Sequence, residues 1–112
     1  MSTEHTPTEH PATGFVITRE VTGNRGRYAI TLGEGAGAEV AQLTYAIAAP
    51  DRVIADHTGV PPAFRGSGAA LALVERLVAD ARAEGFKIVP LCSYIDAQRR
   101  KHPNWADVFT SQ

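Results

Sequence analysis

The chain has 112 residues, a length that suits one domain with a modest hydrophobic core. Hydrophobic residues make up 44% and charged residues 21%, and the formal net charge of −1 argues against a nucleic acid or a membrane as partner. With a single cysteine, Cys92, an intramolecular disulfide is excluded, and neither a secretory signal nor an apolar run of roughly 20 residues is visible. We therefore expect a cytoplasmic protein.

The first part of the chain predicts a tail followed by strands. Residues 1–13 are polar, contain two prolines and show no core-forming pattern, so we predict a disordered tail there and one domain over residues 14–112. Segments rich in β-branched and aromatic residues, separated by short turns, then predict an antiparallel β-meander at residues 15–21, 27–32, 39–48 and 52–60.

The remainder of the chain predicts two helices that flank one more strand. Apolar residues at helical spacing follow the pair Gly66 and Gly68 and continue to Gly85, a natural helix end. A fifth strand is predicted at residues 86–91. Ser93 and Asp96 fit a capping box for a short helix that ends near Lys101, because a proline follows. This order of elements predicts an α+β fold.

The glycine turn at residues 66–68 is the most informative local pattern. Glycines at the start of a helix leave backbone N–H groups accessible, and such a helix end is a natural site for a phosphate. The turn lacks the Lys-Ser/Thr of a P-loop and the third glycine of a dinucleotide fingerprint. A purely structural role, in which the glycines only let the helix pack closely, is the alternative.

The segment Arg65-Gly66-Ser67-Gly68-Ala69-Ala70 resembles the Arg/Gln-x-x-Gly-x-Gly/Ala signature of the GNAT superfamily of acyl-CoA N-acyltransferases. The chain is most similar to a small single-domain branch of GNAT-like proteins. This branch is marked by a His-Thr pair near the end of the fourth strand, a Pro-x-Cys-x-Tyr segment and a late His/Asn-Pro, here His57-Thr58, Pro90-Leu91-Cys92-Ser93-Tyr94 and His102-Pro103. The resemblance covers roughly residues 15–109 and implies a GNAT-like fold.

By this resemblance the ligand is acetyl-CoA. The backbone of Gly66, Ser67, Gly68, Ala69 and Ala70 is expected to bind the CoA pyrophosphate at the positive end of the helix. Arg65 adds charge there or is simply solvated. The pantetheine arm is expected along the open edge of the fourth strand, from Thr58 to Val60, where a backbone N–H polarises the thioester carbonyl.

The resemblance also gives three candidate catalytic side chains. Cys92 forms an acyl-enzyme or only lines the thioester pocket, since unpaired cysteines are often buried and inert. Tyr94 is a candidate general acid for the leaving thiolate. His57 accepts a proton from the attacking amine or is a strand histidine bonded to backbone. The basic residues 99–102 meet the adenosine end of CoA or form an exposed helix end. No metal site is predicted.

The resemblance therefore implies an N-acetyltransferase that moves an acetyl group from acetyl-CoA to an amine by direct attack. The alternative is a non-catalytic module that binds or senses acyl-CoA. Larger members of the superfamily carry helices after the first strand and strands after the last helix, and these build the acceptor site. Neither is evident here, so we expect an open acceptor side that suits an exposed amine, such as one on a protein, or no acceptor at all.

Overall fold

A computed structural model describes residues 4–5, 8–9 and 15–111. The strands are β1 (Glu4–His5), β2 (Thr8–Glu9), β3 (Val16–Thr22), β4 (Arg25–Leu32), β5 (Glu39–Ala49), β6 (Arg52–Gly59) and β7 (Lys87–Pro90). The α-helices are α1 (Ala69–Glu84) and α2 (Ser93–Lys101), and short 3-10 turns occur at Gly35–Gly37, Pro62–Phe64 and Pro103–Val108. The predicted strands and helices are all present, with their ends shifted by a few residues.

The strands form one sheet in the order β1-β3-β4-β5-β6-β7, with β2 also paired to β3. Strands β3 to β6 are antiparallel neighbours, and β7 is parallel to β6 because α1 connects them as a crossover. The predicted α+β fold with an antiparallel meander is confirmed. Of the predicted tail, only β1 and β2 lie among the described residues, so its predicted disorder stays a prediction.

Strand register assigns side chains to the two faces of the sheet. Arg19, Tyr28, Leu43 and Thr58 are successive partners across β3 to β6 and form one row. Arg19 and Tyr28 both contact Asp80 of α1, so this row lies on what we term the α1 face. Successive residues of a strand point to opposite faces, so the next row lies on the outer face and consists of Glu20, Arg27, Thr44 and His57.

The hydrophobic core lies between α1 and the α1 face. Helix α1 buries the small and aliphatic side chains of Ala69, Ala72, Leu73, Val74, Leu77, Val78 and Ala81. These pack against buried strand residues that include Tyr28, Ile30, Leu43 and Tyr45. Burying one such aliphatic side chain contributes roughly 2 kcal/mol, so the apolar stripe on α1 fixes the helix against the sheet.

A polar cluster joins the C-terminal half of α1 to the sheet. The Tyr28 hydroxyl donates to Asp80 at 2.7 Å, and the Arg19 and Arg76 guanidinium groups also bond this carboxylate. Arg19 further donates to Glu84 and to the hydroxyl of Tyr45. Burial, together with the charge of Asp80, raises the pKa of Tyr28, which therefore stays protonated as the donor. The pair Arg76–Asp80 is thus part of a largely buried network.

The capping-box prediction for α2 is wrong. Cys92 is the N-cap of α2, and no side chain caps the helix. The Asp96 carboxylate instead accepts hydrogen bonds from Arg99 and Arg100 one turn along the helix. An ion pair within the helix competes for the same carboxylate, which the spacing of residues alone does not reveal. Over the described part of the chain, no helix combines the length and the apolarity that crossing a bilayer requires.

Candidate functional site

The glycine turn bends the chain from β6 into α1 through two glycines in the left-handed region. Gly66 has φ 82° and Gly68, the N-cap of α1, has φ 92°. Side chains other than glycine rarely adopt these angles, which explains why glycine occupies both positions. The preceding 3-10 turn (Pro62–Phe64) begins with a proline pre-set for such a turn, and the N–H of Ser67 donates to Phe64 O at 3.2 Å.

The first turn of α1 retains unpaired donors. The N–H of Ala69 donates to Ser67 Oγ and that of Ala72 to Gly68 O. The N–H groups of Gly68, Ala70 and Leu71 have no acceptor within the described part of the chain. This turn has no acidic residue, so nothing on the helix itself neutralises its positive end.

These donors border a groove of about 350 Å³. Its walls are the glycine turn and first turn of α1, the residue after β6 and a side chain from α2: Val60, Phe64 to Leu71, and Tyr94. The groove is therefore lined by seven of the eight residues predicted to bind the donor, whereas Thr58 is not among its lining residues: Val60, Arg65, Gly66, Ser67, Gly68, Ala69 and Ala70. Their role in binding stays a prediction. Arg65 is exposed at its rim.

Strand β6 is paired on both edges only along its first half. Its ladder with β7 ends at the pair Ala55 and Pro90. Beyond it, the N–H groups of Leu91 and Cys92 both donate to Ala55 O at 3.0 Å as the chain turns into α2. Residues 57–59 of β6 pair with β5 alone, which leaves an open strand edge beside the groove.

Two predicted site residues meet across this opening. The Cys92 thiol lies 3.6 Å from Thr58 Oγ1 and donates to it, and both side chains are half-buried. Thr58 belongs to the row on the α1 face. The cysteine is therefore held at the open edge of β6, on the same side of the sheet as α1.

Tyr94 extends from the first turn of α2 into the groove wall. Burial and, to a smaller extent, the charge of Glu75 raise the pKa of its phenol above the ordinary tyrosine value. The hydroxyl is therefore protonated throughout the neutral range and can serve as a proton donor.

His57 is separated from the other two candidates by the sheet. It follows a β-bulge at Asp56 and belongs to the outer-face row, so it lies on the opposite side of β6 from Thr58 and Cys92. Its side chain is exposed, and its ring lies over Gly59. The structure thus places Cys92 and Tyr94 toward α1 and His57 on the outer face, with the open edge between them.

Comparison with known proteins identifies the family of the chain. The family model for GCN5-related N-acetyltransferases matches residues 27–108, which is most of the chain. The chain belongs to this family. Its fold is also similar to the solution structure of a GCN5-like protein from Staphylococcus aureus, proposed to be an N-acetyltransferase, with a TM-score of 0.58 and 25% identity. That alignment covers 84% of this chain and 88% of the other. A search of curated proteins gave no match.

In this N-acetyltransferase the basic end of α2 is occupied by contacts within the chain. Arg99 and Arg100 bond Asp96, and the His102 ring stacks on Trp105 with centroids 3.9 Å apart. His102 Nδ1 also lies 2.8 Å from Gln98 O. These contacts favour the reading of this segment as a helix end. A groove of about 510 Å³ lies nearby between β7, α2 and the segment after them, but the glycine turn does not border it.

Sequence reasoning about the N-acetyltransferase missed Asp56. The residue directly precedes the His-Thr pair, and its carboxylate bonds Thr44 Oγ1 and Arg25 Nη1, both at 2.6 Å. Burial alone would raise the pKa of Asp56, but the hydrogen bonds from Arg25 and Thr44 outweigh it, and the pKa lies below its ordinary value. Only the bulge, which no local sequence pattern indicates, makes this residue a neighbour of His57 on the same face.

Proposed function

We propose that this N-acetyltransferase uses acetyl-CoA as its donor and acetylates an amine by direct attack. The observation that carries the proposal is the first turn of α1, where unpaired N–H groups face a groove that also adjoins the open edge of β6. A phosphate requires hydrogen-bond donors and positive potential, and this helix end supplies both.

The donor would be held by the turn and the strand edge. The N–H groups of Gly68, Ala70 and Leu71 would bind the pyrophosphate, with Arg65 adding charge at the rim. The glycines let the backbone approach the phosphates closely, and side chains there would hinder this approach. The edge formed by Thr58 and Gly59 of β6 and by Val60 directly after it would pair with the pantetheine amides as an added strand does.

The reaction requires two proton movements. The amine nitrogen bonds to the carbonyl carbon, the C–S bond breaks, and the electron pair leaves with the CoA sulfur as a thiolate. His57, exposed on the outer face, would take the proton that the amine loses. Tyr94, protonated in the groove wall, would donate a proton to the thiolate. A backbone N–H at the β6 edge would stabilise the negative oxygen that forms in between.

Cys92 would line the thioester pocket without bonding to the acetyl group. Its thiol donates to Thr58 and does not contact His57, which could otherwise activate it as a base. A Cys92→Ala variant should therefore keep turnover within about threefold of wild type, because direct attack does not need the thiol. Trapping of an acetylated Cys92 during turnover, together with inactivity of the variant, would establish the acyl-enzyme route instead.

The proposal is tested by titration calorimetry with CoA and acetyl-CoA, followed by a thiol-release assay with a panel of amines and lysine peptides. We expect saturable binding and acceptor-dependent release of free CoA. Saturable binding without release on any acceptor would favour the non-catalytic binding module. Absence of any CoA binding by the folded protein would overturn the donor assignment itself.

A further inference from the structure

We propose that Asp56 selects acceptors that carry a second positive charge near the amine that is acetylated. The inference rests on the proposed function, since it concerns the acceptor side of the same site. It makes Asp56 a specificity-determining residue of the outer face and identifies the acceptor class as diamines or amines flanked by a basic group.

The bulge gives Asp56 this position. In a regular strand Asp56 and His57 would point to opposite faces, but the bulged residue has no register partner on β5. The Asp56 carboxylate reaches Thr44 Oγ1 at 2.6 Å, and Thr44 is the register partner of His57. Both side chains therefore lie on the outer face, at the start of the open edge.

Because the donor groove lies on the α1 side of the sheet, the outer face is available to the acceptor. Helix α1 and the groove lie on the other side of the sheet, with Thr58 and Cys92 at the opening. An amine that reaches the thioester at the β6 edge from the outer face passes His57 and Asp56. The reacting amine must lose its proton before it attacks, and a carboxylate beside it would favour the charged form. Asp56 is therefore suited to a second cationic group.

The carboxylate has room for such a group. An ionised carboxylate offers about four acceptor sites. The Asp56 carboxylate accepts hydrogen bonds from Thr44 and from Arg25, and its second contact with Arg25 is long, at 3.5 Å, so part of its acceptor capacity is left. The Arg25 side chain is 51% exposed, so its ion pair is screened by water and can be displaced by an incoming cation.

The other charged groups of this face do not compete for the same cation. Arg27 bonds both Glu20 and Gln42. Glu20 lies in the same row as His57 but three strands away, about 14 Å at the usual strand spacing. Of these two carboxylates of the outer face, Asp56 is thus the one that adjoins the open edge.

The test uses CoA conjugates whose sulfur is joined through an acetyl unit to an amine that carries a tether of two to five methylenes. The far end of the tether is an ammonium in one series, and a methyl or a carboxylate in two matched series. Affinities are measured by calorimetry against CoA alone. We expect wild type to bind the best ammonium conjugate about tenfold more tightly than its methyl counterpart, as for one charge-assisted hydrogen bond. Comparing the affinity of a lysyl-arginine conjugate with that of a lysyl-alanine conjugate tests whether a neighbouring peptide side chain can supply the second positive charge.

Four variants, two of them with opposite expected effects, keep the test decisive. Asp56→Asn should remove the ammonium preference, and Asp56→Glu should restore part of it. Arg25→Gln frees the carboxylate and should increase the preference. Glu20→Gln, which changes a distant carboxylate of the same face, should leave it unchanged.

Several results would overturn the proposal. These are equal affinities for the ammonium and methyl series in wild type, a preference that persists in Asp56→Asn, or a preference for the carboxylate series. Each of these results is interpreted only if unmodified CoA binds. A folded protein that binds no CoA would instead refute the donor assignment, and the titration with CoA alone detects that case.

Discussion

The two ends of helix α1 differ in how far their polar groups are satisfied within the chain. The C-terminal end is closed: Gly85 caps the helix, and Asp80 collects hydrogen bonds from Tyr28, Arg19 and Arg76. At the N-terminal end, which begins after Gly68, several N–H groups have no acceptor within the described part of the chain, and no acidic residue neutralises the dipole.

This difference indicates how a small domain can tolerate an unsatisfied helix end. Unpaired donors next to a groove cost stability unless water or a ligand satisfies them. The buried network at the far end, together with the apolar stripe, keeps α1 in place regardless of what the N-terminus binds. Substitutions at one end should therefore change stability, and substitutions at the other end should change binding or turnover.

The largest effect should follow from Asp80→Ala. The substitution leaves Arg19, Arg76 and the buried Tyr28 hydroxyl without their shared acceptor, and we expect a loss of about 3 kcal/mol in the free energy of unfolding. Urea denaturation measures it. CoA affinity of the folded fraction should change less than twofold, because Asp80 is more than three turns from Gly68.

The control for that experiment is Asp107→Ala. Asp107 pairs with Arg82 on the same half of α1, but both side chains are exposed. Its loss should destabilise the protein much less than the loss of Asp80. Equal destabilisation by the two variants would mean that burial of the Asp80 network is not what holds the helix.

Tyr94→Phe should give the largest effect on turnover at the open end. The ring still fills the groove wall, but the variant lacks the proton donor, so kcat should fall about 100-fold with little change in donor affinity. The raised pKa of Tyr94 predicts that any loss of wild-type activity caused by its ionisation occurs above pH 10. A variant with wild-type kcat would exclude Tyr94 as the general acid.

Two matched glycine substitutions compare the ends of α1 directly. Gly68 and Gly85 have similar positive φ angles, 92° and 80°, so alanine should cost each about 1–2 kcal/mol of stability. A Cβ at Gly68 would lie 3.9 Å from Phe15, an ordinary contact, and one at Gly85 would meet open space.

Only Gly68→Ala should weaken CoA binding, by about tenfold, because its methyl group lies beside the donor N–H groups. Calorimetry on both folded variants gives the comparison. Unchanged affinity in Gly68→Ala would contradict the assignment of the pyrophosphate to this turn, and an equal loss in Gly85→Ala would attribute the effect to the stability of α1.

Most of the fold is predictable from the sequence because it depends on local signals. Alternation of side chains and turn residues define the meander, and the three- and four-residue spacing of apolar residues defines α1. Gly85 marks the end of this helix, and in the structure it has φ 80° and donates to Ala81 O. The glycine turn is likewise predictable, because few residues other than glycine adopt the positive φ angles that it requires.

The catalytic side of the site is less predictable because it depends on long-range register. The sequence pattern puts His57, Cys92 and Tyr94 in one set, yet the sheet separates His57 from the other two. The position of Asp56 follows from a bulge that only the pairing with β5 defines. For Asp96, a partner within α2 decides between a cap and an ion pair.

The smallest expected effect is the change in stability when acid disrupts the ion pair of Asp107. The hydrogen bond from Arg82 outweighs a slight loss of solvation and lowers the pKa of Asp107 below its ordinary value of 3.8. A group whose pKa is lower in the folded state contributes stability above its unfolded pKa and loses it as the pH falls through the folded pKa. Between pH 6 and pH 3, wild type should therefore lose slightly more stability than Asp107→Asn, measured by urea midpoints.

Added 1 M NaCl should shrink that difference, since the pair is exposed. The first turn of α1 has no carboxylate, so acid should not weaken the open end in this way. A difference between the two proteins that persists in high salt would show that Asp107 is shielded from solvent, and that the closed end extends beyond the Asp80 network.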